Sequence, residues 1–488
     1  MPCSQVTFLQ GQFRCRERLL MLSIDKSSLG LTSHDNREIR DSTIVGEAVR
    51  GCRTLQSAEQ MIEGGMGERY VNIDRETPML LPVDLREWVA ENDLARLILE
   101  AVEMCDLRGA RVNARGSGSA QYPPGMMLAL LIYCYATGVL SSRRIERASY
   151  ESVTVRYLCA NTHPDHDTIA RFRRENGKLY QECFAQVLSL AREAGVLKAG
   201  TISLDGSRMA GAGSRHAVRS LGQIEAELRE LAGQLAEKAE QADLLGAETE
   251  GTQLPGELSN ALERRQKLLE AKARLEERRR QAQEENRRDG QGSQRRSSRV
   301  SVSEPESRTM MRGDGSAMVQ GYNAQAAADA GESGLIVGMH LSDEANDKRQ
   351  LLPGLEALPP EAGPVETVLI DKGYDNAAQI ERAEDIHHLT VLCPPQYRHT
   401  ADHPRNRRGK PARIFQLREQ MRERFQKPHW AQLYRRRQPT VEGVFARIKS
   451  NMGFRRFHCW GRAAAAAEWA LVCLAHNLRL LGLKFQAA

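Results

Sequence analysis

The 488-residue sequence predicts an α+β or α/β protein of several domains, and three observations carry that expectation. Residues 85–197 read as helix throughout, with apolar positions at helical spacing. Short strand-like runs follow at 201–204, across 318–341, at 368–370 and at 389–393. Between the first run and the others lies a Leu/Ala/Glu/Gln/Arg-rich tract, about 218–288, that reads as two long helices forming a hairpin. A chain of this length holds roughly two or three domains, and 41 % hydrophobic residues is enough for a real core.

Residues 1–65 are polar and irregular and predict no packed element. Leu94, Leu97, Ile98 and Val102 form one apolar stripe; Met126, Leu130, Leu131 and Cys134 form another after the breakers Pro123 and Pro124. Arg143, Arg144 and Arg147 then share a helix face. In HPDHDTIARFRRENG, Asp167 or Thr168 is the expected N-cap, with Ile169 and Phe172 inward and Arg171, Arg173 and Arg174 outward. Two short helices joined by a polar turn match a helix-turn-helix layout; a small bundle with solvated arginines fits the same pattern.

At Gly200 the pattern changes. Ile202 and Leu204 alternate with polar residues and the run ends on Asp205-Gly206. The helical tract is broken by Gly and Pro within 244–258, and 290–307 is a Ser/Arg-rich connector. Residues 318–347 read as two strands joined by a Gly-containing loop, and 368–370 as a buried strand ending on Asp371 before a helix. Residues 401–427 read as a basic loop.

The last informative stretch is 434–461. Val441, Val444, Phe445, Ile448 and Met452 recur at helical spacing, and Pro439 sits where a first turn tolerates it. Glu442 and Lys449, seven residues apart, project within roughly 20° of each other and are expected to flank the buried stripe. From 401 to 461 there are sixteen Arg/Lys against four Asp/Glu, a local charge of +12 in a chain of net +6. A basic block this concentrated points to a polyanion partner. The ten cysteines stand singly with no CxxC pair, which argues against a zinc ribbon and for a reducing compartment. No signal-peptide pattern and no run of about 18 apolar residues is present, so the expected location is cytoplasmic and no membrane partner is expected.

Asp205 and Asp371 end strands, where a carboxylate is exposed on rigid backbone, and Glu442 lies on a helix. Convergent carboxylates suit Mg²⁺ or Mn²⁺, hard ions that prefer oxygen. Two such ions about 4 Å apart serve phosphodiester chemistry. Taken singly, Asp205-Gly206 and Asp371-Lys372-Gly373 are also ordinary turn signals. Asn323, Asn346 and Asp347 read as supporting or turn residues.

LDGSRM, QGYNAQ, VLIDKGYD and TVEGVFARIKSNMGFRRF together resemble the DDE transposases of bacterial insertion sequences, in the branch with a YREK-type signature. LLPVDLREWV, YCYATGVLSSRRIERA and PDHDTIARFR resemble the helical N-terminal domain of the same proteins. The resemblance runs over 79–481 with its motifs in order. It implies a helical DNA-binding domain at 66–198, an RNase H-like catalytic domain at 199–217 with 308–488, and an inserted helical hairpin with its connector at 218–307. It implies Asp205, Asp371 and Glu442 as catalytic and metal-holding residues, with two Mg²⁺ or Mn²⁺ ions. Tyr434, Arg437, Glu442 and Lys449 match the signature, although the Arg-to-Glu spacing is one residue longer than its commonest form. Tyr434, Arg437, Lys449, Arg455 and Arg456, with Arg143, Arg144 and Arg171 of the N-terminal domain, are then expected to contact DNA. The implied partners are terminal inverted repeats and target DNA, bound by a homodimer that cuts element ends and transfers a 3′-hydroxyl. A metal-dependent nuclease and a non-catalytic DNA-binding descendant of a transposase are the alternatives.

Overall fold

The computed structural model describes residues 84–112, 120–198, 200–244, 256–289, 299–311, 318–394 and 412–487. The irregular segment expected at 1–65 lies outside them. From Leu85 on, the described residues belong to one compact unit.

After a single helical turn at Leu85–Trp88, six helices follow: α1 (Leu94–Glu103), α2 (Pro124–Thr137), α3 (Ser142–Glu151), α4 (Val153–Leu158), α5 (His166–Glu175) and α6 (Gly177–Glu193). The Asp93 carboxylate caps α1 by accepting the Ala95 N–H at 2.8 Å. Leu97, Ile98 and Val102 of its stripe are buried as expected. α2 is buried on every side rather than along one stripe, because α1, α4, α5 and the last helix surround it. The cap of α5 is Asp165, not Asp167 or Thr168: its carboxylate accepts the Thr168 N–H at 2.8 Å, leaving Asp167 in the first turn.

The sheet chain begins with β1 (Gly200–Ala210), then β2 (Val218–Ser220), the hairpin helices α7 (Leu221–Leu244) and α8 (Gly256–Asp289), β3 (Arg299–Ser301) and β4 (Arg308–Met311). β5 (Met318–Asp329), β6 (Ile336–Ser342), α9 (Leu351–Glu356), β7 (Val365–Leu369), α10 (Ala377–His387) and β8 (Thr390–Leu392) follow. Part of the expected connector is therefore strand: β3 pairs antiparallel with β2 and closes the base of the hairpin. Ile224, Leu268, Ala271, Leu275, Val300 and Val302 give the hairpin its own small core.

In the main sheet β1 lies between β5, antiparallel to it, and β7, parallel to it; β8 extends the β7 edge, while β6 and β4 share the far edge of β5. β5 is buried along nearly its whole length, so small residues are needed where neighbours come close. At Gly321 an added Cβ would lie 1.9 Å from the Met209 carbonyl oxygen, so only glycine fits.

The C-terminal part is helical: α11 (Ala412–Gln426), α12 (Pro428–Arg435), α13 (Arg437–Ala446), a π-helical turn over Arg447–Asn451, and α14 (Arg462–Ala487). The basic loop expected at 401–427 is thus largely helix α11; 401–411 lie outside the described residues. α14 packs on β6 and on α1, α2, α5 and α6, so one apolar core runs from the N-terminal helices through the sheet. A buried polar chain crosses the same seam. Arg173, expected outward, turns in and donates to the Tyr135 hydroxyl (3.1 Å) and the Leu140 carbonyl (2.9 Å). Tyr135 donates to Glu468 (2.5 Å), which also accepts the N–H groups of His458 (2.7 Å) and Cys459 (3.1 Å). Burial alone would raise the Glu468 carboxyl, but the His458 hydrogen bond and the Arg173 charge hold it below its ordinary range. No single described helix is long and apolar enough to cross a membrane.

Candidate active site

Strand pairing decides what stands near Asp205. Its Cα faces Ala326 on β5, while Ser203 faces Ala328 and Ser207 faces Ala324, so on the β5 side that face of the sheet carries small side chains around the carboxylate. α13 packs on β1 and β5, its Val441, Val444 and Phe445 all buried, as is Ile448 of the π-helical turn that follows. That packing brings in Arg437, the first residue of the helix. Its guanidinium lies 3.1 Å from the Asp205 carboxylate and 3.8 Å from that of Asp371, which follows β7 on the neighbouring parallel strand.

The two aspartates, 166 residues apart in sequence, thus share one cation. The Arg437 side chain is 12 % exposed. Burial raises the Asp205 carboxyl to about 6; the Arg437 charge opposes this and the Asp371 charge adds to it. Asp371 is oriented from its own turn, accepting the Gly373 N–H at 2.7 Å. Beneath it the Cys393 thiol donates to the Asp371 carbonyl (3.4 Å) and the Tyr434 hydroxyl to the Ile370 carbonyl (3.1 Å). Tyr434 packs edge-on against Phe425, ring centres 5.0 Å apart. Tyr434 and Arg437, both expected on DNA, are accordingly turned into the protein.

Glu442 stands elsewhere. It is exposed, not beside the buried stripe, and accepts a hydrogen bond from Gln438 at 3.2 Å. Five residues on a helix rotate a side chain by roughly 140°, so the longer Arg-to-Glu spacing swings Glu442 away from the face that carries Arg437. The π-helical turn that follows breaks the 100° step between Glu442 and Lys449. The Lys449 ammonium lies 5.9 Å from the centre of the Phe445 ring. Arg455 donates to the Lys449 carbonyl (3.1 Å), and Arg456 to the carbonyls of Gly211 and Ala212 (both 3.2 Å), tying this segment to the end of β1. Both arginines are exposed, as are Arg143 and Arg144 on α3 and Arg171 on α5. α3 and α5 pack together, and Ile145 and Ile169 are both buried.

Asp347, read as a turn or supporting residue, supports the site. It accepts from the Asn323 and Gln325 amides, each at 2.7 Å, and the buried Tyr374 hydroxyl donates to Gln325. Asn323 and Gln325 are two apart on β5 and so share a face; that spacing was the available signal.

By donor chemistry Asp205 and Asp371 fit a hard divalent cation, and the Arg437 guanidinium already shows that a positive charge is accommodated between them. Among the described residues no group of three His, Cys, Asp or Glu side chains is close enough to hold a metal. The pair fits one ion, and Glu442 is not assembled with it.

Asp205, expected to end a strand, stands in the middle of β1, because the strand continues past Gly206 to Ala210 in its pairing with β5; only Asp371 follows a strand end. Two aspartates around a cation, beside an arginine-rich helical segment, suit a polyanionic substrate. Two family models narrow the class. Residues 391–481 match the Transposase DDE domain and residues 83–175 a Transposase domain (DUF772). Both are transposase domains, each matched over about a fifth of the chain, so in these two regions the chain is similar to DDE transposases. The first match includes Glu442 and Lys449 but neither aspartate; the second spans α1 to α5. No curated protein and no solved structure matches the chain.

Proposed function

We propose that this chain is a transposase that cuts DNA at the ends of its own element and joins the freed 3′-hydroxyl to target DNA, using Asp205, Asp371 and Glu442. The observation that carries the reading is the convergence of Asp205 and Asp371 on one positive charge from adjacent strands β1 and β7. The strand order supports an RNase H-like catalytic domain: three antiparallel strands (β6, β5, β1) continue into two parallel ones (β7, β8). In this reading the helices before β1 bind the terminal repeats, and the hairpin α7–α8 is an insertion.

Asp205 and Asp371 would hold Mg²⁺ or Mn²⁺, and Glu442 would have to turn in from the exposed side of α13 to join them. Bound metal would activate a water or a 3′-hydroxyl and neutralise the leaving oxygen. The chain's own residues do the rest. Asp347, through Asn323 and Gln325, fixes the strands beneath Asp205. Tyr434 and Cys393 fix the backbone on either side of Asp371. Arg437 stabilises the two carboxylates before metal arrives. Lys449, Arg455 and Arg456 supply positive charge for the scissile strand, and Arg143, Arg144 and Arg171 for the element end. Joining two ends calls for a dimer on DNA.

The test is cleavage and joining of a labelled element end with Mg²⁺ or Mn²⁺, comparing wild type with Asp205→Asn and Glu442→Gln. Joined products from the wild type alone support the proposal. Cleavage without joining assigns a nuclease. An active Glu442→Gln removes that residue from the chemistry.

A further inference from the structure

At the foot of the hairpin four arginines from three elements converge. Arg274 and Arg278 come from α8, Arg308 opens β4 and Arg462 opens α14. All reach the carboxylate of Asp343, just past β6: Arg274 at 3.7 Å, Arg278 at 3.8 Å, Arg308 at 3.7 Å and Arg462 at 3.6 Å. These are ion-pair separations, but charge-assisted N–H···O bonds run at about 2.7–2.9 Å, so the four cations surround Asp343 without closing on it.

Arg278 forms the floor, 4 % exposed. One of its nitrogens donates to the carbonyls of Glu306 (2.9 Å) and Ser307 (3.1 Å). Its Nε and Nη1 are buried without an acceptor, as are the Nε atoms of Arg274 and Arg308. Burial, reinforced by the Arg308 charge, pushes Arg278 down to about 10. The nearby carboxylates are engaged elsewhere. Glu304 accepts from the Gly213 and Gly461 N–H groups and the Tyr322 hydroxyl, and Glu306 from the Arg462 N–H. Buried N–H donors on a charged group are costly unless something accepts them, and guanidinium forks match phosphate oxygens.

We propose that Arg274, Arg278, Arg308 and Arg462 form a binding pocket for a phosphodiester group of the DNA backbone, with Asp343 holding the arginines together until that phosphate arrives. The rim is open: the Arg274 and Arg462 side chains are 34 % and 44 % exposed. Asp343 also starts the loop that carries Asp347, whose carboxylate oxygen would lie 2.5 Å from a Cβ on Gly206, the neighbour of Asp205. That the phosphate belongs to DNA rests on the function proposed above.

The experiment uses the full chain and a labelled random-sequence duplex, with binding measured by fluorescence anisotropy across a salt series. Wild type is compared with the Arg274→Gln/Arg308→Gln double variant and with Asp343→Asn, and inorganic phosphate is titrated in parallel thermal melts. The double variant is expected to lower the slope of log Kd against log salt by about 1. Asp343→Asn is expected to tighten binding severalfold, because a competing carboxylate is gone; a purely structural hub would lose stability with no gain in affinity. Identical slopes together with unaltered affinity in Asp343→Asn overturn the pocket. Stabilisation by inorganic phosphate with no change in DNA binding assigns it to free phosphate and overturns the DNA role. Cleavage is followed on the same samples. A wild type that cuts and joins while slopes coincide sinks only the pocket; slopes that differ as expected without any cutting sink only the transposition reading.

Discussion

Replacing Asp205 by Asn is expected to stabilise the metal-free protein at neutral pH while abolishing its chemistry. The Asp205 side chain is 19 % exposed, and burial, only partly offset by Arg437, lifts its carboxyl from 3.8 to about 6. A raised value means that the folded chain holds this proton more tightly than the unfolded chain does. The contribution to stability is therefore fully present below pH of about 4, declines as pH rises through about 6, and is absent above that. At 1.36 kcal/mol per unit, keeping Asp205 ionised at pH 7 costs the fold about 3 kcal/mol. Asn cannot ionise and escapes that cost, while Arg437 keeps Asp371 at 3.8 Å. Urea denaturation in EDTA at pH 7.5 and pH 4 measures it. The variant should be more stable by about 3 kcal/mol at pH 7.5 and nearly equal at pH 4. A difference that does not change with pH, or a variant less stable at both, would refute the claim that the carboxylate is held at an energetic cost for function.

Three further outcomes follow from the same geometry. Arg437→Met removes the charge that lowers Asp205, so the pH–rate profile for cleavage should move to higher pH; an unmoved profile would show that Asp205 does not feel this arginine. Glu468→Ala should cost about 3–5 kcal/mol in urea denaturation, because it strands Arg173 in the core; a loss under about 1 kcal/mol would mean that the buried chain is dispensable. Tyr434→Phe deletes the hydrogen bond to the Ile370 carbonyl and should cost about 1 kcal/mol, with cleavage falling along with stability; full activity would detach this tyrosine from the placement of Asp371.

Periodic segments were legible in the sequence because burial writes itself into spacing. The stripe Val441, Val444, Phe445, Ile448 and Met452 is buried throughout, and the strand-like runs around Ile202, Val368 and Val391 are strands. Where charge outweighed pattern, the reading failed. Residues 412–426 looked like a basic loop, yet they form α11, with Met421 buried against Cys393. Arg173 looked like one more solvated arginine among three. Its burial depends on Tyr135 and Leu140, more than 30 positions away, and no local spacing could report that.

By itself, the sequence determined the kind of protein: motifs in a fixed order, a basic C-terminal block, and an aspartate, Asp371, placed just past a buried strand. These survive in a linear reading because each is set by its neighbours along the chain. Only the tertiary structure decided how the charges meet. Arg437 stands between Asp205 and Asp371, Glu442 faces away, and four arginines gather around Asp343. Those arrangements follow from strand register and from the rotation of one helix, and a single residue of spacing was enough to change the outcome for Glu442. Long-range pairing fixes both, so the sequence names the groups and the fold chooses their partners.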